Sequence, residues 1–125
     1  MKINIPVSVG ELIDKITILE IKSIKIKDRN KLSAVKKELD LLNKIFKKKK
    51  IQRRIISRDY KKLKEVNLKL WNIEDLKRKY EKQKKFDSKF IKLARNVYLL
   101  NDKRAKYKSN INILTNSEII EVKSY

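Results

Sequence analysis

The apolar residues of this chain recur every three or four positions over long stretches, and the polar residues fill the gaps. From Phe90 to Leu114 the apolar positions are 90, 93, 97, 100, 107, 111 and 114, one stripe down a helix of about seven turns. Three more segments carry helical spacing. Val9 to Ile26 has a very wide apolar arc, built from Val9, Leu12, Ile13, Ile16, Leu19, Ile24 and Ile26 and extended by Ile21. Such a helix is touched by neighbours on several sides. Asp14 and Thr17 lie at the far edge of this arc. Lys31 to Lys47 shows heptad spacing at Leu32, Val35, Leu39, Leu42 and Phe46. Asp59 to Lys84 has its stripe at Leu63, Val66, Leu70, Ile73 and Tyr80, with Trp71 at the edge.

Punctuation between these segments is polar. Ser8 with Glu11 makes the capping-box pattern S-x-x-E at the first helix. Lys27 to Asn30 forms a short link, and Phe86 to Ser88 another with a cap. Lys47 to Arg58 (KKKKIQRRIISR) has seven basic residues and no acid, and the four consecutive lysines interrupt the apolar pattern. It reads as a frayed helix end and a loop, closed near Ser57 or Asp59 as a cap. Lys2 to Val7 and Glu118 to Tyr125 alternate like short strands, and pairing would tie the two ends together. The expected fold is mainly α: a four-helix antiparallel bundle in one domain, residues 1–125, with short paired terminal strands.

Composition narrows the chemistry. A single Gly and a single Pro argue against an all-β fold rich in tight turns. With no Cys and no His, thiolate zinc sites, Cys nucleophiles, His-dependent triads and Glu-x-x-His di-metal sites have no ligands to use. No metal and no cofactor is expected, and the reading leans away from an enzyme. No signal sequence or membrane span is expected, and the absence of Cys suits the cytoplasm.

The net charge of +20 comes from 35 Lys and Arg against 15 Asp and Glu. It has two readings. One is an anionic partner: nucleic acid, an acidic protein or a phosphorylated glycan. The other is composition drift in a chain heavy in Lys, Ile and Asn. The densest patch is Lys47, Lys48, Lys49, Lys50, Arg53, Arg54 and Arg58. Phosphate contacts from such a run would be sequence-independent and salt-sensitive. A second basic surface spans Lys77 to Lys92, where Tyr80, Phe86 and Phe90 have the spacing of packing residues.

One residue breaks the stripe of the fourth helix. Arg104 stands where Leu or Ile would be expected, flanked by Asn101 and Lys108. A permanent charge on a packing face needs an anionic partner, a ligand or a route to water. Glu20 projects inside the first helix's arc, and Glu74 and Asn67 lie beside the third helix's stripe. The expected resolution is that Glu20, Glu74 and Arg104 meet, joined by Asn67, Asn101 and Lys108. The meeting point is then either a buried ion-pair network that fixes helix register or a polar pocket for a small anionic ligand. The heptad faces leave a homo-oligomer open as well.

Three strings, SVGELIDKITILEIK (from Ser8), LWNIEDLKR (from Leu70) and LARNVYLLNDKRAKYKSNIN with a closing EVKSY, resemble an uncharacterised family of small bacterial proteins known as a domain of unknown function. The resemblance covers about two-thirds of the chain and includes Glu20, Glu74, Asn101, Asp102 and Arg104. It implies a bacterial-type cytoplasmic accessory protein linked to cell-surface polysaccharide synthesis, and it carries over no catalytic residue. The basic stretch Lys44 to Lys64 departs from the family pattern. The leading functional expectation is a non-enzymatic accessory or binding module that meets an anionic partner through its basic surface. The alternative is an enzyme or small-anion-binding protein using the interior Glu/Arg/Lys cluster.

Overall fold

The computed structural model describes Met1 to Ser124. Four helices follow one another: α1 (Val9–Lys25), α2 (Arg29–Lys48), α3 (Arg53–Lys82) and α4 (Ser88–Leu114). Links of a few residues reverse the chain between them, as expected for antiparallel neighbours. The order of the partners confirms the direction: Asp59 of α3 takes Asn110 of α4, while residues 69–73 face residues 96–103.

α1 is the centre. It packs against α2, α3 and α4, while the backbone of α2 runs close to α1 alone. The wide apolar arc explains this: within α1 only Lys15, Ile24 and Lys25 are exposed, and the rest of the helix is buried or half-buried. Leu12, Ile13 and Ile16 form the core with Phe46, Ile56, Leu63 and Ile111. α3 and α4 are about 45 and 40 Å long at the standard helical rise, so they outrun α1. From Leu68 to Tyr107 no side chain is fully buried. The far halves of α3 and α4 therefore project as a two-helix arm, with Phe86 packed edge-on against Phe90 at its tip. Neither ring is a core residue, contrary to the packing role their spacing suggested.

Two expectations need correction. Among the described residues there is no strand, and the tails Met1–Val7 and Glu118–Ser124 do not pair; Tyr125 lies outside the described residues. The ends meet by another route. Ser8 Oγ accepts from the Glu11 amide, and Ser117 Oγ and Asn112 Oδ1 accept from the Val9 and Gly10 amides. Satisfying the open N–H groups of α1 thus docks its first turn on the end of α4. Alternation is a local signal, and a lone short strand has nothing to pair with.

The basic loop is also shorter than expected. Lys47 and Lys48 still belong to α2, Arg53 to Arg58 belong to α3, and only Lys49–Gln52 link them. Ile56 is the reason: it is fully buried and extends the Leu63 stripe by two turns. Asp59 is buried mid-helix, not a cap.

Helix ends show the cost of a nearly glycine-free chain. Lys50, Lys84 and Asn116, just past α2, α3 and α4, have φ of 55°, 52° and 51°. At Lys84 the turn is a Schellman motif: its amide donates to Glu81 O, and the Lys85 amide donates to Tyr80 O. A side chain in this left-handed region is strained. Lys84→Gly is expected to raise stability by about 0.5–1 kcal/mol in urea unfolding, whereas Lys84→Ala should leave it nearly unchanged.

Candidate functional site

Asp14 of α1, with a side chain only 1% exposed, is the anion that answers Arg104. Arg104 donates from Nε to Oδ1 at 2.9 Å and from Nη2 to Oδ2 at 2.5 Å. This two-pronged contact matches a planar fork to a planar carboxylate. Asn67 of α3 adds donations from Nδ2 to Asp14 Oδ1 and to Thr17 Oγ1, both at 2.9 Å. The Thr17 hydroxyl in turn donates to the Asp14 carbonyl at 2.8 Å. One network thus joins α1, α3 and α4. The bond to Asp14 raises the Arg104 pKa more than burial lowers it, so the guanidinium is held charged.

A second ion pair closes the helix end. Lys108 Nζ is 2.7 Å from Glu11 and 2.8 Å from Glu121. Burial alone would push the Lys108 pKa down, but the bonds to the two glutamates outweigh it and leave it raised. The Glu121 carboxyl is correspondingly lowered, chiefly by Lys108 and then by Lys123. Glu11, the partner in the capping-box pattern, spends its side chain on Lys108. Among the described residues no buried side-chain nitrogen or oxygen lacks a hydrogen-bond partner.

The expected meeting of Glu20, Glu74 and Arg104 does not occur. Glu20 accepts from the Tyr60 hydroxyl and from Lys64 Nζ. Glu74 is exposed and pairs with Lys77 one helical turn on, at 3.5 Å. Asn67 joins Arg104 through Asp14, Lys108 belongs to the separate Glu11 pair, and half-buried Asn101 takes part in neither. Asp14 stands at the edge of the apolar arc, where helical spacing alone does not mark it. The available signal was Ile21: seven residues later, two turns along the same line, it is a buried apolar residue.

Glu74 and Arg104 do share a wall. A cleft of about 430 Å³ opens between α1, α3 and α4, with Ile21, Leu70 and Trp71 as apolar lining and Arg78 and Lys22 as further cations. Among the described residues no three carboxylates gather into a metal-binding group.

At the α2–α3 turn, Lys47, Lys48, Lys49, Lys50, Arg53, Arg54 and Arg58 are all exposed. Arg53 lies over the rings of Phe46 and Tyr60, at 5.8 and 5.2 Å from their centroids. Among the described residues none of the seven is in an ion pair, and nearby Asp59 is taken by Asn110.

Residues 1–125 match a family described as a family of unknown function (DUF6165). The chain belongs to this family. No curated protein and no solved structure matches the chain. For this member of the family, no helix among the described residues is long and apolar enough to cross a membrane.

The Glu20–Tyr60 contact has a pH signature. Burial first, and then the hydrogen bond and charge of Glu20, raise the Tyr60 phenol above its ordinary pKa of 10.0. A raised folded-state pKa means the contribution to stability is whole below pH 10 and is lost as pH climbs through the higher folded value. Absorbance titration of the parent against Tyr60→Phe should show a phenol that ionises above the ordinary range and is absent from the variant. Above pH 10 the melting temperature of the parent should fall more steeply than that of Tyr60→Phe.

Proposed function

We propose that the protein is a non-enzymatic binding module that meets a polyanionic partner through the α2–α3 turn. It would act in the cytoplasm, in keeping with a chain free of Cys. One observation carries the reading: seven exposed cations from Lys47 to Arg58 stand together without an acidic partner among the described residues. In the whole protein only Lys62, Lys64, Lys77, Arg104, Lys108 and Lys123 are ion-paired among the described residues, so the excess charge is on the surface. Three arginines on one helical stretch favour phosphate groups, which match a guanidinium fork. The interior charges, by contrast, are paired: Asp14 with Arg104 and Glu11 with Lys108.

Duplex DNA and polyglutamate serve as probes. A turn that engages about four phosphates should lose about 10²-fold in DNA affinity between 50 and 200 mM salt. Lys48→Gln/Lys49→Gln/Arg54→Gln should weaken binding and flatten that slope. A salt-independent response, or equal binding by the triple variant, refutes the proposal. Tighter binding of polyglutamate than of DNA would redirect it to an acidic protein.

A further inference from the structure

We propose that the cleft beside Trp71 binds a phosphate monoester of a hydroxylated ring, with the phosphate met by Arg104 and Arg78 and the ring by Trp71. Its volume, about 430 Å³, is that of a small-molecule site. Size is not the argument, because the α3–α4 pair holds another cavity of about 420 Å³, lined by residues such as Lys69, Asn96 and Leu99. That one has no aromatic ring, no acid and no arginine. The Trp71 cleft has all three.

Arg104 is held for the task. Nε and Nη2 are committed to Asp14, while Nη1 has no protein partner among the described residues and the side chain keeps 30% of its surface open. A guanidinium already fixed on one edge presents its other donors with little ordering cost. Arg78 and Lys22 add positive charge, while Glu74 and Asp75 add negative charge to the same lining. A bare anion would be drawn to the first group and repelled by the second. A phosphate ester carrying hydroxyls satisfies both: its phosphate accepts from the cations, and its hydroxyls donate to the carboxylates. Trp71, flanked by Leu70 and Ile21, supplies a flat apolar face for a ring. Nucleoside monophosphates and sugar phosphates share this chemistry. The site is independent of the basic turn, being eighteen residues along α3 from Arg53, or about 27 Å.

Trp71 is the chain's only tryptophan, so intrinsic fluorescence reports on this cleft alone. The full chain is titrated with adenosine 5′-monophosphate, glucose 1-phosphate and inorganic phosphate, with calorimetry in parallel. The expected result is a saturable Trp71 response to at least one ester, with inorganic phosphate weaker by about tenfold or more. Which ester binds tells whether the ring against Trp71 is a base or the hydroxylated sugar itself. Exposed Arg78 can be changed without opening the interior, and Arg78→Gln should weaken the ester by about tenfold. Glu74→Gln should weaken the ester while leaving inorganic phosphate unchanged. The triple variant of the basic turn should leave the response intact, so failure of either proposal is visible separately. The inference is overturned if neither ester gives a saturable response at millimolar concentration, if inorganic phosphate binds as tightly as the esters, or if Arg78→Gln binds like the parent.

Discussion

Arg104→Leu is expected to destabilise the protein by about 3–5 kcal/mol, although Leu is the residue that the apolar stripe of α4 would predict at that position. The reason is what it leaves behind. Asp14 is 1% exposed, and its carboxylate keeps only the Asn67 amide once the guanidinium is gone. A buried carboxylate without its cation must take up a proton or draw in water, and either change costs free energy. Asp14→Leu should cost a similar amount for the complementary reason, since half-buried Arg104 loses its anion. Asp14→Leu/Arg104→Leu should recover much of the loss, because a paired charge replaced by apolar groups leaves no orphan. Urea unfolding of the four proteins closes the cycle. Losses that simply add, or a single Arg104→Leu variant within about 0.5 kcal/mol of the parent, would show that this pair does not hold α1 to α4.

The four helices could be read from the chain because helical spacing is a local pattern repeated over many turns. Ser8 was legible as a cap for the same reason: its partner amide is three residues away. Arg104 was legible as an exception to a regular stripe. Its partner was not, because periodicity fixes the angle of a side chain around its own helix and says nothing of how far two helices are staggered. Glu20 lies inside the apolar arc but about 120° around α1 from Asp14, so it meets Tyr60 and Lys64 while Asp14 meets Arg104. The α2–α3 boundary failed through a different confusion. The lysine run does end α2, at Lys48, but the apolar spacing of Ile56 and Leu63 carries α3 back to Arg53, where burial of Ile56 outweighs the repulsion among the neighbouring arginines. Terminal strands failed because pairing is non-local: alternation in KINIPV and EIIEVKSY is consistent with a ladder but cannot supply one.

Gly10→Ala tests the closest approach in the fold, and its sign is the informative part. Helix propensity alone favours Ala over Gly by about 1 kcal/mol inside a helix. Here a Cβ would lie 2.5 Å from the backbone carbonyl oxygen of Lys108 and 2.9 Å from Asn112 Oδ1. A main-chain oxygen inside α4 cannot swing aside as a side-chain end can, so α1 must lift away from α4. That movement stretches the Gly10 amide to Asn112 bond, now 2.6 Å, and the Val9 to Ser117 bond beside it. It also loosens Glu11 from Lys108 and Asp14 from Arg104, one and two turns along the same contact. A net loss of about 3 kcal/mol is expected, and with it a fall in melting temperature of about 10 °C for a domain of this size. Exposed Lys15→Ala on the same helix is the matched control and should change little. The chain spends its single glycine on this crossing and accepts strained lysines at two helix ends instead, which is the choice expected if packing of α1 on α4 matters more than relief at any turn. A stabilised Gly10→Ala variant would mean that the two helices stand further apart in solution, with every contact between α1 and α4 from Val9 to Arg104 looser than described.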